Sequence, residues 1–287
     1  MKIAIVGLGL IGASLAKAIK SYTNNRVLGF DKNYEVSKRA LKESSIDEIL
    51  NDDNIRDCDF IVLALYPKAS IQFLESKKEL INKNTIVFDC GGTKELICKK
   101  AFKIAEEKGF TFIGGHPMAG IEKSGYDNSF GELFKGASMI LVPPDNIKDE
   151  NLKSLKYFIL SLGFDKITIT TAKKHDRVIA YTSQLAHVLS SAYIKSEIEK
   201  EHIGFSAGSF NDMTRVAKLN PEMWTELFLE NRENLVFQID TLIEHLKAYR
   251  DSIENNDEKT LFSLLEDGSK RKEESLKLEK LNGKGKR

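Results

Sequence analysis

Two hydrophobic periodicities divide the chain. From Met1 to about Thr170, short apolar runs of β type recur at 2–6, 26–30, 60–65, 85–89, 110–114, 138–142 and 166–170. The stretches between them, 11–22, 33–43, 68–80, 93–108 and 150–162, carry apolar residues at helical spacing instead. Strands separated by amphipathic helices predict a parallel sheet covered on both faces, so residues 1–170 are expected to form a Rossmann-type, doubly wound α/β domain. Ser70, Thr93 and Asp149 stand where three of its helices need N-caps. Beyond Thr170 the strand signal vanishes, and helices are expected at 173–198, 212–219, 221–255 and 257–280, which makes 171–287 an all-α domain. Pro221 marks a helix start, since proline fits the first turn and disfavours helix in the residue before it. Segment 221–255 is apolar on more than one face, from Met223 and Trp224 to Leu246, and a homodimer is expected from that excess. Gly283 to Arg287 is basic and expected to be a frayed tail.

The first strand, Lys2 to Val6, breaks into Gly7-x-Gly9-x-x-Gly12 and then into a helical pattern. In that context each glycine answers a separate need. Gly7 permits the tight turn, Gly9 admits a pyrophosphate to the backbone, and Gly12 lets helix pack on strand. The amides of Leu10, Ile11 and Gly12 at the start of the helix, with its partial positive charge, suit an anion. The second strand ends in Asp31, 19 residues beyond Gly12, where a carboxylate accepts hydrogen bonds from ribose hydroxyls. An acid there repels a 2′-phosphate, which favours NAD over NADP, although Lys32 beside it works the other way.

Charge narrows the partners. With 43 basic and 42 acidic residues the net charge is +1, which provides no field for nucleic acid or an anionic membrane. No apolar run is long enough to span a bilayer, and the glycines interrupt what would otherwise resemble a signal peptide. Cys58, Cys90 and Cys98 have no metal-ligand spacing, so no metal is expected, and their odd number favours a reducing cytoplasm over a disulfide framework.

Chemistry is expected at three further segments. His116, in Gly114-Gly115-His116-Pro117-Met118-Ala119-Gly120, follows an apolar run, so it falls at the carboxyl end of a strand, where open α/β sheets bind ligands. An imidazole titrates near neutrality and suits taking a proton from a hydroxyl as hydride leaves for NAD. Ser183 and His187 lie four apart on the first long helix and share a face. Arg215 has the planar fork that grips a carboxylate, or else it is only the partner of Asp212 three residues before it.

Taken together, the chain resembles the prephenate and arogenate dehydrogenase family over nearly its full length. The resemblance is carried by Gly7-x-Gly9-x-x-Gly12, Asp89-Cys90-Gly91-Gly92-Thr93-Lys94, His116-Pro117-Met118-Ala119-Gly120, Ser183-x-x-x-His187, and Asp212-x-Thr214-Arg215 followed by Pro221-x-x-Trp224. It implies NAD-dependent oxidative decarboxylation of prephenate, or of arogenate, in tyrosine biosynthesis. His116 would be the base, Arg215 and His187 would hold substrate with Ser183, and Glu122 and Asp212 would stand near the site entrance. Gly92 and Thr93 would border the cofactor. Many members carry a serine at the position of Gly92, where its hydroxyl orients the histidine, so here Thr93, a backbone group or a water must replace it. Gln184 and Ala186 likewise stand where many members have His and Pro. The chain ends soon after the helical domain, so no fused mutase or regulatory domain is expected. Two other readings remain: a β-hydroxyacid dehydrogenase or imine reductase, which would use a lysine base on the interdomain helix, and a non-catalytic NAD-binding sensor.

Overall fold

The computed structural model describes residues 1–281, and the expected tail at Gly283–Arg287 lies outside the described residues. The chain forms two compact units, Met1–Asn234 and a second that begins at Leu235.

In the first unit, eight strands lie in the order β3-β2-β1-β4-β5-β6-β7-β8. They are β1 (Lys2–Val6), β2 (Arg26–Phe30), β3 (Glu48–Ile49), β4 (Phe60–Leu63), β5 (Ile86–Asp89), β6 (Thr111–Pro117), β7 (Ser138–Val142) and β8 (Lys166–Ile169). The two-residue β3 was not expected; it is too short to show an alternation. The strand expected at 110–114 runs on to Pro117, which puts His116 on the strand itself. All pairs are parallel except β6 with β7, where His116 stands opposite Ile140 in an antiparallel register. No crossover helix joins these two strands, so the chain returns alongside β6 in the opposite sense.

Alternation sends successive side chains to opposite faces, and both faces are buried. Ile3, Ile5, Phe60, Val62 and Phe88 pack on one side with Leu15 and Ile19 of α1 (Leu10–Tyr22) and with Phe158 of α5 (Asp149–Ser161). Ala4, Val6, Ile61, Leu63 and Val87 face the other side, against Leu74 of α3 (Pro67–Lys77) and Ile97 and Ala101 of α4 (Glu95–Lys108). Phe158 stacks on Phe60 at 4.9 Å between ring centroids and meets Phe88 edge-on at 6.4 Å. The remaining helix, α2 (Tyr34–Lys42), follows β2.

None of the three expected N-caps serves as one. Pro67 starts α3 in place of a cap, and Ser70 is buried a turn inside with its hydroxyl unpartnered. Asp149 is the first residue of α5, where its charge faces the positive end of the helix dipole. Thr93 precedes the N-cap Lys94 and donates its hydroxyl to Glu230 Oε2 at 2.7 Å. The cap of α4 comes from far along the chain: the Asp176 carboxylate accepts the amides of Lys94 and Glu95 at 2.7 and 2.8 Å.

The helical region departs from expectation in its breaks. A helix expected at 173–198 is α6 (Ala172–Ile179), a π turn over Ala180–Gln184, and α7 (Leu185–Tyr193). The helix expected at 212–219 is α8 (Gly208–Thr214). The long helix expected at 221–255 is divided at Asn231 into α9 (Pro221–Glu230) and α10 (Arg232–Glu254). Asn231 is buried, and its side-chain amide donates to the carbonyl of Asp176 and to Gln184 Oε1, so a polar demand from α6 and the π turn interrupts the helix. Pro221 does occupy the first turn of α9, behind the Asn220 cap.

From Leu235 the second unit comprises the rest of α10 and α11 (Glu258–Leu281), joined through Asn256 at φ 50°. The Tyr249 hydroxyl donates to the carbonyl of Leu264 at 3.1 Å, and Phe237, Leu246, Phe262 and Leu265 are exposed. Among the described residues no helix is long and apolar enough to cross a membrane, and no group of His, Cys, Asp and Glu is arranged to hold a metal ion.

Candidate active site

The glycine turn meets the geometry a dinucleotide needs. Gly7 has φ +94°, and a Cβ on it would fall 2.5 Å from the carbonyl oxygen of Ala64, just past β4. A Cβ on Gly12 would fall 1.8 Å from the carbonyl oxygen of Gly7, so helix and turn touch there without a side chain between them. Gly9 has open space around it, with nothing within 4 Å of a Cβ. No side chain caps α1, which leaves the first-turn amides of Leu10, Ile11 and Gly12 without a side-chain acceptor, as an anion site needs. Asp31 is fixed beside it: Oδ2 accepts the amide of Leu8 and Oδ1 that of Asn33, both at 2.9 Å. Each oxygen keeps a lone pair for a ribose hydroxyl.

His116 is placed by its glycines. A Cβ on Gly115 would lie 2.3 Å from the Asp89 carbonyl oxygen, and one on Gly114 would lie 2.6 Å from Cys98 Sγ. These two positions let β6 run tight against β5 and α4. His116, half-buried, is the next residue along the strand. Its Nδ1 lies 2.9 Å from His175 Nε2, and His175 Nδ1 lies 2.6 Å from Asp176 Oδ1. The His175 and Asp176 side chains are 0% and 3% exposed. Below them Lys94 and Asp89 form an ion pair from which water is excluded, and the Asp89 carboxylate also accepts the amides of Gly91 and Gly115 at 2.8 and 2.9 Å. Burial drives the His116 pKa well below the ordinary imidazole value, and the nearby His175 and Lys94 push in the same direction.

α9 lies across the end of β5. Leu227 comes within 3.4 Å of where a Gly92 side chain would begin. Thr93 holds Glu230, whose other oxygen is buried and unpartnered and whose pKa is raised, chiefly by burial. Gln184 of the π turn donates to the carbonyl of Leu227 at 3.1 Å, so the residue standing where many relatives carry histidine ties the π turn to α9.

His187, Arg215 and Glu122 form a second cluster. The His187 ring lies 3.9 Å from the Trp224 ring between centroids, and Nδ1 lies 3.3 Å from the carbonyl oxygen of Val216. Burial lowers its pKa. Arg215 pairs with Glu122 and not with Asp212, which corrects the alternative reading of Arg215. Asp212 is exposed, Ser183 sits half-buried in the π turn, and among the described residues neither makes a hydrogen bond or ion pair that ties it to this cluster.

Two family models match the chain: the prephenate dehydrogenase nucleotide-binding domain over residues 15–167 and the prephenate dehydrogenase dimerization domain over residues 171–267. The chain belongs to the prephenate dehydrogenase family. Its relatives include the cyclohexadienyl dehydrogenase of Zymomonas mobilis, 32% identical over 264 residues, which are 89% of this chain and 89% of that one. Prephenate dehydrogenase from Aquifex aeolicus, solved with hydroxyphenyl propionate and NAD+, superposes with a TM-score of 0.81 at 27% identity, covering 96% of this chain and 98% of that one. Synechocystis arogenate dehydrogenase superposes with a TM-score of 0.81 at 28% identity, covering 96% and 100%.

Within this prephenate dehydrogenase fold, sequence reasoning missed His175, Asp176, the Lys94–Asp89 pair and the carboxyl of Glu230. One signal pointed to the first two. His175 and Asp176 lie four and three residues before the buried Ile179, so they are in phase with the core, whereas Lys173, Lys174 and Arg177 are exposed. The two lysines of α6 are exposed, and the residue of that helix that faces His116 is a histidine.

Proposed function

We propose that the chain is an NAD-dependent prephenate dehydrogenase, converting prephenate to 4-hydroxyphenylpyruvate and carbon dioxide in tyrosine biosynthesis. The observation that carries this reading is an uncharged imidazole, His116, held by one nitrogen at the carboxyl end of the sheet that bears the glycine turn. Gly7, Gly9, Leu10, Ile11, Gly12 and Asp31 would hold the dinucleotide, with Gly92 and Thr93 bordering its nicotinamide end. Bound NAD supplies the hydride acceptor. His116 holds the ring hydroxyl and takes its proton as the carbon–hydrogen bond of the same carbon gives up its hydride. The carboxylate on the ring carbon opposite leaves as carbon dioxide, its bonding electrons complete the aromatic ring, and the proton returns to the ring oxygen, which makes the step irreversible. A sensor that only binds NAD would have no use for a base so fixed.

On the substrate side, Arg215 would exchange Glu122 for a substrate carboxylate, with His187 beside it, Ser183 on the same helical run, and Asp212 and Glu122 at the rim. Replacing Arg215 by alanine is expected to raise KM for prephenate by roughly 10–10²-fold with little change in kcat, the value of a charge-assisted contact of ~1.5–3 kcal/mol. An unchanged KM would remove Arg215 from the site.

Residues 1–170 would form the cofactor domain and 171–287 the substrate and dimer domain, two copies covering the exposed Phe237, Leu246, Phe262 and Leu265. Three free cysteines fit a cytoplasmic enzyme. The deciding assay offers prephenate and arogenate separately, each with NAD or NADP, and follows the reduced cofactor. Turnover is expected with prephenate and NAD. Turnover with arogenate alone would move the assignment to arogenate dehydrogenase, and none with either would leave only a dinucleotide-binding protein.

A further inference from the structure

We propose that His175, anchored by Asp176, is the positioning residue of this site: it fixes the tautomer in which His116 works and takes over the proton that His116 accepts. This rests on the reading of His116 as the base. The direction of each hydrogen bond follows from groups that have no choice. Two backbone amides, those of Lys94 and Glu95, can only donate, and both reach the Asp176 carboxylate, at 2.7 and 2.8 Å. With an amide donating to each of its oxygens, the carboxylate accepts from its third neighbour as well, so His175 Nδ1, at 2.6 Å, carries the hydrogen. A neutral His175 then has its lone pair on Nε2. That atom lies 2.9 Å from His116 Nδ1, which must be the donor. The remaining nitrogen of His116, Nε2, is left with a free lone pair, as a base needs. Two buried side chains and two amides of α4 thus determine which face of the imidazole is basic.

The same chain of bonds gives the proton somewhere to go. When the bond from the substrate hydroxyl to its hydrogen breaks and a bond to His116 Nε2 forms, His116 briefly carries two hydrogens in a setting that disfavours its charge. Its Nδ1 hydrogen passes to His175 Nε2. His116 is then neutral with the hydrogen on Nε2, and the positive charge rests on His175 beside the Asp176 carboxylate. When the electrons of the broken bond to the carboxylate reach the ring oxygen, the proton returns by the same two bonds to that oxygen, and the product leaves as the phenol. No side chain at position 92 can share this role, since Gly92 faces Leu227 and the hydroxyl of Thr93 is committed to Glu230.

The test compares the full-length wild type with His175→Gln and His175→Leu, using steady-state kinetics and 15N NMR of histidine-labelled protein. In the wild type at neutral pH, His116 is expected to show its hydrogen on Nδ1. Glutamine can accept the Nδ1 hydrogen but cannot take it up, so His175→Gln should keep that tautomer while kcat falls roughly tenfold and KM is unchanged. Leucine can do neither, and His175→Leu should show mixed tautomers and a fall in kcat of roughly 10²-fold. If His175→Leu does not fold, the wild-type spectrum and the glutamine variant still decide. Hydrogen on Nε2 of His116 in the wild type, or unaltered kcat in His175→Gln together with an unaltered tautomer in His175→Leu, would overturn the proposal. Full turnover in His175→Gln with mixed tautomers in His175→Leu would overturn the proton transfer and keep the positioning. Failure of the wider reading looks different: His116→Asn would then remain active whatever the tautomer.

Discussion

Replacing His116 by asparagine is expected to lower kcat by roughly 10²–10⁴-fold, the range a positioned base contributes, while the affinity for NAD stays unchanged. Asparagine is close in size and keeps a side-chain amide that can donate to His175, so the packing at the end of β6 survives and the lost function is the base alone. The pH dependence has a definite sign. The working form of His116 is unprotonated, so activity is present above its pKa and is lost as pH falls through it. Burial, then His175 and Lys94, place that pKa well below the ordinary value of 6.5. The acid limb of kcat/KM attributable to His116 should therefore lie below the ordinary imidazole range. An acid limb at or above 6.5 that disappears in H116N would show that bound or approaching substrate overrides the burial, and unaltered turnover in H116N would remove the base from the mechanism.

What could be read in the sequence was what the backbone dictates locally. Gly7, Gly9 and Gly12 were legible because each answers a steric demand within a few residues of itself, and the structure shows an excluded Cβ at Gly7 and Gly12 and open space at Gly9. His116 was legible because Gly114 and Gly115 announce a strand that must pass close to its neighbours. The helix ends were not, because their partners are distant: the amides of Lys94 and Glu95 are capped by Asp176, and Asn231 breaks a helix to serve Asp176 and Gln184. His175 and Asp176 stand among Lys173, Lys174 and Arg177, and only their phase with Ile179 sets them apart from a solvated stretch. Only the approach of β6 and α4 turns that pair into a buried one, and no periodicity within α6 alone says what will press against its inner face. The substitution at Gly92 could be seen in the sequence, but the group that answers it could not, since it lies 83 residues further along the chain.

Replacing Lys94 by methionine is expected to cost about 3–5 kcal/mol of folding stability, the usual penalty for removing one partner of a buried ion pair. Both side chains are 0% exposed, so no water can take the ammonium's place beside Asp89. The carboxylate would keep two donors, the amides of Gly91 and Gly115, which do not neutralise it in a dry interior. Methionine fills nearly the same volume, so the change isolates charge from packing. A variant carrying both Asp89→Asn and Lys94→Met should recover much of the loss, because an amide can accept from one of those backbone groups without a buried charge. The measurement is denaturant unfolding, with a lowered midpoint and an unchanged slope as the expected result. A loss below about 1 kcal/mol in the single variant, typical of an exposed pair, would mean that the pair is not desolvated. The cost also explains why such a pair sits here. Asp89 accepts the amide of Gly115, one residue before His116, and Lys94 stands at the start of the helix, its own amide donating to Asp176. One buried pair thus fixes both ends of the histidine chain, and Lys94→Met should lower kcat even where enough folded protein remains to assay.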